Sequence, residues 1–384
     1  MSELNDILEA HVGKGGPVPG AVALVARGDR IEVAAVGSVD VEGSAPMTRD
    51  SIFRIASVTK PIVAAAVMLL VDDGRIGLDD PVAAWLPELA SPSVVRTPGS
   101  PVDDVVPATG PITVEHLLSS RAGYGFSADF TEPAVSLLFS ELHQGPPAPQ
   151  LVPAPDEWMA KLATIPLLHQ PGEAWLYNTC SDLQGMLVAR VTGRPLPEFL
   201  AERLFEPLGM ADTGFEVPAA KLDRFTSYYQ PDASGAAELV DAPDGQWSSL
   251  PAFPSGAGGL VGTVDDWYAF ARMLLADGTV ADRQLLSAAS VRRMTTDHLT
   301  QSQREASDLF LEGQGWGYGG SVDVEPVDPW VVPGRYGWVG GTGTTAHLTP
   351  STGAVALLFT QLAMTSPTPP EVMRDFWRYA AGVR

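Results

Sequence analysis

Short apolar runs stand in pairs at both ends of the chain, each pair broken by turn-forming residues. Near the start, Ala21-Val-Ala-Leu-Val-Ala26 and Ile31-Glu-Val-Ala-Ala-Val36 flank Arg27-Gly-Asp-Arg30, which predicts a β-hairpin. Near the end, Thr345-Ala-His-Leu-Thr349 and Ala354-Val-Ala-Leu-Leu-Phe359 flank Pro350-Ser-Thr-Gly353, a second hairpin, followed by a helix from about Pro370 to Ala381. A short amphipathic helix is expected over Leu4–Val12. Between the ends, helical spacing marks Val58–Val71, Val114–Leu118, Glu157–Thr164, Ser181–Val191, Pro197–Phe205 and Val264–Ala276. Strands at both termini with helices between them predict that the ends combine into one antiparallel sheet, an α+β fold. Segments rich in Pro, Ser and Gly at Ser91–Pro111, Gln144–Pro155 and Pro231–Pro254 read as long surface loops, of the kind that shape binding sites.

Composition narrows the function. Forty-six acids against 24 Lys plus Arg give a net charge of −22, a field that repels phosphate backbones and anionic membranes, so no nucleic-acid partner is expected. The longest apolar run, Ile62–Val71, is half the length needed to cross a bilayer and reads as a core helix, so no membrane partner is expected either. The start, Met1-Ser-Glu-Leu-Asn-Asp6, carries acids where a secretory leader carries basic residues, which makes the cytoplasm the expected location. The single cysteine, Cys180, excludes an intrachain disulfide and reads as a core thiol. The six histidines show neither H-x-H nor H-E-x-x-H spacing, and no metal or other cofactor is expected. No G-x-S-x-G elbow occurs. Gly256-Ala-Gly-Gly259 lacks the terms of a phosphate loop and reads as architecture, with Thr263 and Asp266 as a capping pair opening the next helix.

The candidate chemistry lies in Ser57-Val-Thr-Lys60. Only four lysines occur beside twenty arginines, and one of them follows a serine by three residues. Lysine can give up its proton when desolvated and so serve as a base, which arginine cannot. Pro61 is tolerated in a helix's first turn, so a helix should begin near Ser57 and bring the Lys60 amine beside the Ser57 hydroxyl. The helix start would add exposed N–H groups suited to an oxyanion. Alone, the tetrad reads more readily as a helix-capping serine with a solvated lysine than as a catalytic pair.

Two further segments change that balance. Arg54-Ile-Ala-Ser-Val-Thr-Lys-Pro61, Pro171-Gly-Glu-Ala-Trp-Leu-Tyr-Asn-Thr179 and Tyr336-Gly-Trp-Val-Gly-Gly-Thr342 occur in this order, with Ile112–Gly123, Leu204–Thr213 and Gly256–Asp266 between them. In these motifs the chain resembles the class C β-lactamase and penicillin-binding-protein family, and looks closest to its esterase branch. The resemblance implies an antiparallel sheet flanked by helices, formed by residues 1–75 and 255–384, and a mainly helical region over 76–254, with the active site between them. It also implies that Ser57, Lys60 and Tyr177 are the catalytic residues, and that the Ser57 and Gly341 N–H groups form the oxyanion hole. Ser57 would attack an acyl carbonyl to give an acyl-enzyme, with either Lys60 or Tyr177 as the base.

Departures from the family pattern bear on specificity. Trp338-Val-Gly340 stands where the β-lactamases carry Lys-Thr-Gly or His-Thr-Gly, so a carboxylate loses its cation and an uncharged acyl or alcohol group is favoured. Trp338 is therefore a candidate pocket residue, with strand packing as the equal alternative. Thr179 occupies the third position of the family's Tyr-x-Asn, and Asn178 sits one place early as a candidate substrate contact, which puts efficient β-lactam hydrolysis in doubt. Arg335 stands either as a substitute cation or as an exposed surface arginine. Tyr124 and Phe126 are candidate acyl-pocket residues, with loop packing as the alternative.

The leading expectation is a carboxylesterase on small or medium acyl esters, its partner a small-molecule ester. An acyltransferase working through the same acyl-enzyme, a weak β-lactamase or D-aminopeptidase, and a sensor that is acylated without turnover are the alternatives. Nothing in the residues marks an oligomeric state.

Overall fold

The computed structural model describes residues 2–13 and 16–383. Both predicted terminal hairpins form and join. Gly20–Arg27 pairs with Arg30–Gly37, Thr344–Thr349 pairs with Ala354–Thr360, and Ala354–Thr360 lies antiparallel beside Gly20–Arg27, with Leu24 opposite Leu357. Tyr336–Gly340, Ser321–Val322 and Gly315–Trp316 extend the sheet on the other side to seven antiparallel strands. Arg27 pairs with Arg30 across Gly28 and Asp29, and Gly28 takes the left-handed conformation this two-residue turn requires (φ +57°).

Period-2 alternation divides the strand Gly20–Arg27 between two cores. Val22, Leu24 and Ala26 face the main core, together with Leu357 and Phe359. Ala21, Ala23 and Val25 face a second core with Leu358, closed by Leu4 and Leu8 of the helix Glu3–Glu9 and by Met373, Phe376 and Trp377 of the helix Glu371–Ala380. Because both faces are covered, the strand reads as an unbroken apolar run. The helix Lys60–Asp72 lies within the main core, every residue from Lys60 to Leu70 buried, beside the helix Thr179–Thr192. No helix among the described residues is long and apolar enough to cross a membrane.

Two of the three expected loops carry short strands, and the third, Gln144–Pro155, a 3₁₀ turn over Pro149–Leu151. Ser93–Val95 pairs with Val105–Pro107, and Tyr228–Pro231 pairs with Ala237–Asp241. Strands this short fall below the length at which alternation can be read, and the surrounding Pro and Gly hide them. The helix expected over Pro197–Phe205 is α-helical for Leu196–Leu200 and then widens to a π-turn over Ala201–Phe205.

Candidate active site

The nucleophile candidate sits on a turn that the sheet holds in place. A 3₁₀ turn, Ala56–Thr59, runs directly into the helix Lys60–Asp72, with Pro61 in its first turn as expected. Ala56 has φ +44°, a conformation that costs a non-glycine residue energy and persists only where its surroundings enforce it. Four contacts do so. Thr342 Oγ1 donates to the Arg54 carbonyl (2.5 Å), Thr344 Oγ1 to the Ile55 carbonyl (2.9 Å), the Ile55 N–H to the Leu260 carbonyl (3.0 Å) and Trp267 Nε1 to the Val58 carbonyl (3.1 Å). Gly340 belongs to this packing: a Cβ there would stand 2.6 Å from the Ile55 carbonyl oxygen. The two neighbouring glycines therefore differ in what they make room for. Gly340 admits the Ser57 turn, whereas Gly341 is exposed, with open space where a Cβ would be. In the turn after Gly340, the Gly343 N–H donates to the Gly340 carbonyl and the Gly341 carbonyl accepts from Met364; neither bond uses the Gly341 N–H.

One helical turn brings Lys60 to Ser57, with Nζ 2.8 Å from Oγ. The amine is 1% exposed and has three other neighbours: the Ala257 carbonyl at 2.6 Å, Asn178 Oδ1 at 3.0 Å and Tyr177 Oη at 3.4 Å. Burial pushes its pKa down to about 7, against the opposing pull of the Asp182 charge. The first two neighbours can only accept. In the neutral amine they take both N–H bonds and leave the lone pair for the Ser57 hydroxyl.

Tyr177 arrives from the far side of the chain. Its backbone exchanges two hydrogen bonds with Phe126 (2.9 and 3.0 Å), and its ring is stacked against Phe310 and tilted on Trp175 and Trp338. Trp338 Nε1 donates to Tyr177 Oη at 2.8 Å. Burial pushes the phenol up to about 12, with the hydrogen bonds to Ser57 and Trp338 acting the other way. Next in the chain, Asn178 takes φ +82° and ψ −68°, and the Thr179 N–H reaches back to the Tyr177 carbonyl at 3.2 Å. This three-residue γ-turn is rare and strained. It turns the Asn178 amide onto Lys60 although the residue sits one place early in the motif.

Several expected pocket residues lie elsewhere. Tyr124 is 3% exposed and donates from its hydroxyl to the Ile165 carbonyl, so it is core packing. Phe126 is buried behind Tyr177 and stacks on Phe139, so it holds the tyrosine and lines no part of the cavity at Ser57. Trp338 is 3% exposed within a cluster with Trp175 and Trp316; its polar end meets Tyr177, and it does not line that cavity. Asn178 lines it, but its carbonyl oxygen is engaged by Lys60. Arg335 is neither a substitute cation nor a surface residue. It is buried and paired with the fully buried Asp323, Nε to Oδ2 at 2.8 Å.

A cavity of about 140 Å³ opens beside Ser57 and Gly341. Two of the expected loops form its wall, Leu142–Pro149 with Val152 on one side and Trp247 with Phe253 on the other. Gln150 joins them by donating from Nε2 to the Gln246 and Ser249 carbonyls (2.8 and 2.9 Å). No lysine or arginine is among the described residues lining it. The Gly256–Gly259 segment, expected as architecture, belongs to this site: the Ala257 carbonyl holds Lys60, and Ala257, Gly258 and Gly259 line the cavity. Sequence reasoning also passed over Asp182, Ser255 and Gln144. The available signal was Asp182 and Gln184 at the head of a helical stretch that runs apolar from Gly185 to Ala189.

The chain is similar to several known proteins. The chain is 39% identical over 359 residues to the protein Rv1367c of Mycobacterium tuberculosis, covering 90% of this chain and 86% of that one. It is 32% identical over 321 residues to the esterase EstB of Burkholderia gladioli, covering 78% and 74%. Among solved structures, EstCE1, described as a hydrolase with promiscuous acyltransferase activity, superposes with a TM-score of 0.79 at 25% identity, covering 98% of this chain and 97% of that one. Residues 5–379 match the family described as Beta-lactamase, and with that match the chain belongs to the beta-lactamase family of serine hydrolases.

Proposed function

We propose that this protein hydrolyses uncharged carboxylic esters through an acyl-enzyme on Ser57. The observation that carries the reading is the buried Lys60 amine, 2.8 Å from Ser57 Oγ and held by two groups that can only accept. Lys60, neutral, takes the Ser57 proton as Oγ bonds to the acyl carbon. The Ser57 and Gly341 N–H groups stabilise the oxyanion. Tyr177, with its proton held tightly, passes it to the departing alkoxide as the C–O bond breaks and recovers one from the Lys60 ammonium. Water then attacks the acyl carbon and gives its proton to the same pair, which returns one to Ser57 Oγ as the acyl–Oγ bond breaks and the carboxylic acid leaves. Lys60 is the base and Tyr177 the acid because burial moves the two groups in opposite directions.

Support for esters over β-lactams comes from charge. The cavity wall carries no lysine or arginine, Arg335 is tied to Asp323, and Trp338 meets Tyr177 in place of a cation. The similarity to EstB points the same way. The reading is tested by incubating the protein with p-nitrophenyl butyrate and with a chromogenic cephalosporin, and following turnover and intact mass. Sustained release from the ester with a transient butyryl adduct on Ser57 is expected, with much slower cephalosporin cleavage. Release of one equivalent followed by silence, or a preference for the cephalosporin, would overturn it. Acyl transfer is the second reading, favoured by the likeness to EstCE1; alcohol acceptors in the assay would yield new esters in place of the acid.

Two results are expected of this site. The pH profile of kcat/KM should rise through about pH 7 and be lost below it, because protonation of Lys60 fills the lone pair that serves Ser57. A profile flat from pH 5.5 to 8.5 would contradict the assignment. Trp338→Phe keeps the ring packing but removes the donor to Tyr177 Oη. A net hydrogen bond is worth about 0.5–1.5 kcal/mol, so kcat should fall by about 2–12-fold with KM little changed; a rise in KM alone would return Trp338 to the pocket.

A further inference from the structure

Asp182 is 4% exposed and stands on the first turn of the helix Thr179–Thr192. Its carboxylate accepts from three donors: Ser255 Oγ at 2.6 Å and the Ala257 N–H at 3.1 Å on Oδ1, and Gln144 Nε2 at 3.0 Å on Oδ2. The Ala257 N–H also reaches Ser255 Oγ (3.2 Å), which commits the serine's own proton to Asp182. A protonated carboxyl could donate only to Ser255 Oγ and would give up that serine's own bond, whereas the ionised form accepts all three at once. The arrangement therefore fits an ionised carboxylate, although burial works to raise its pKa.

The same peptide unit faces both ways. Asp182 grips Ser255 and the Ala257 N–H, and the Ala257 carbonyl grips Lys60 Nζ at 2.6 Å. Gly256 makes this approach possible, since a Cβ there would lie 2.3 Å from the Ser181 carbonyl oxygen. The titratable groups facing Lys60 Nζ are Tyr177 from the γ-turn and Asp182 from its helix. The Lys60 helix brings no other ionisable residue before Asp72, the 255–259 segment brings only a carbonyl, and Gly319 packs on the Lys60 backbone.

We propose that Asp182 is a positioning residue of this site, whose carboxylate fixes the Ala257 carbonyl on the Lys60 amine and supplies the fixed negative charge that faces it. Through Gln144, which accepts from Thr179 Oγ1 at 2.6 Å, the same carboxylate anchors the loop that walls the cavity. The proposal rests on the acyl-enzyme reading above. In that reading Asp182 takes no proton; it keeps its charge while Lys60 cycles between amine and ammonium.

The test is the pH profile of kcat/KM for p-nitrophenyl butyrate with the full-length wild type, Asp182→Asn and Ser255→Ala, each checked for folding by circular dichroism. Asp182→Asn removes the charge while the Gln144 amide can turn to meet it. Without the anion Lys60 holds its proton less well, so the acid limb should move to lower pH by about one unit. Ser255→Ala keeps the charge and loosens the clamp: the limb should stay in place while kcat falls by about 3–10-fold. A folded Asp182→Asn with an unmoved limb overturns the proposal. If Asp182→Asn does not fold, Ser255→Ala decides, and an undiminished kcat overturns it. The butyryl adduct on wild-type Ser57 separates the two levels, since its absence sinks the acyl-enzyme reading and its presence with an unmoved limb sinks the role of Asp182 alone.

Discussion

Lys60→Arg should lower kcat/KM for p-nitrophenyl esters by about 10²–10⁴-fold, the usual worth of a positioned general base. Arginine keeps the positive charge and most of the length, but it does not give up its proton in a protein and so offers Ser57 no lone pair. The substitution therefore separates a base from a cation that merely holds a substrate. A second effect acts in the same direction. Lys60 is 1% exposed and placed by the Ala257 carbonyl and Asn178, and a planar guanidinium cannot repeat that geometry. Lys60→Met removes the charge as well; if the amine acts as a base, both variants should be equally slow, and both should lose the butyryl adduct on Ser57. An arginine variant that retains near-normal turnover would exclude proton transfer through this residue, whatever the distance between Nζ and Oγ.

How much of this could be read from the chain depended on how local each feature is. The two terminal hairpins follow from alternation on either side of short turns, and the Ser57–Lys60 pair from one turn of helix, so both were legible. Tyr177 stands 117 positions from Lys60 and came only through the resemblance carried by its motif. Asn178 was legible as a site residue but not in its contact, because a γ-turn redirects its side chain. Trp338 stayed open between pocket and strand packing, since nothing in the sequence tells which side of a strand end meets a tyrosine. Arg335 could not be placed at all without Asp323, its partner across the sheet edge. Asp182 was passed over, because an acid in a helix's first turn needs no special account. Its meaning comes from Ser255 and Ala257, more than seventy residues away in the chain.

The same distance hides the charge that holds the site together. Arg54 is 2% exposed, and its guanidinium meets Asp241, itself 7% exposed, through Nε at 3.0 Å and Nη2 at 2.5 Å. Nη1 donates to the Thr226 carbonyl at 2.5 Å and Nη2 to Ala242 at 3.0 Å, while the group lies over the Phe225 ring at 4.0 Å and near Trp247. Removing one partner of a buried pair leaves the other charge without compensation, at a typical cost of about 3–5 kcal/mol. Arg54→Met is therefore expected to lower the urea midpoint of unfolding by an amount corresponding to that loss, and Arg54→Met with Asp241→Asn to recover much of it. Activity should fall even where the single variant remains folded. Arg54 precedes the strained Ala56 by two residues, and its carbonyl takes the Thr342 hydroxyl that ties the Ser57 turn to the sheet. Asp241 accepts from the Gln246 N–H beside Trp247, which lines the cavity and donates to the Gly259 carbonyl at 2.9 Å. Loosening the pair should thus disturb the Ser57 turn and the cavity wall together, raising KM and lowering kcat. A variant with wild-type stability would show that the aromatic rings around Arg54 carry the packing without its charge; wild-type stability with lost turnover would confine its role to the Ser57 turn.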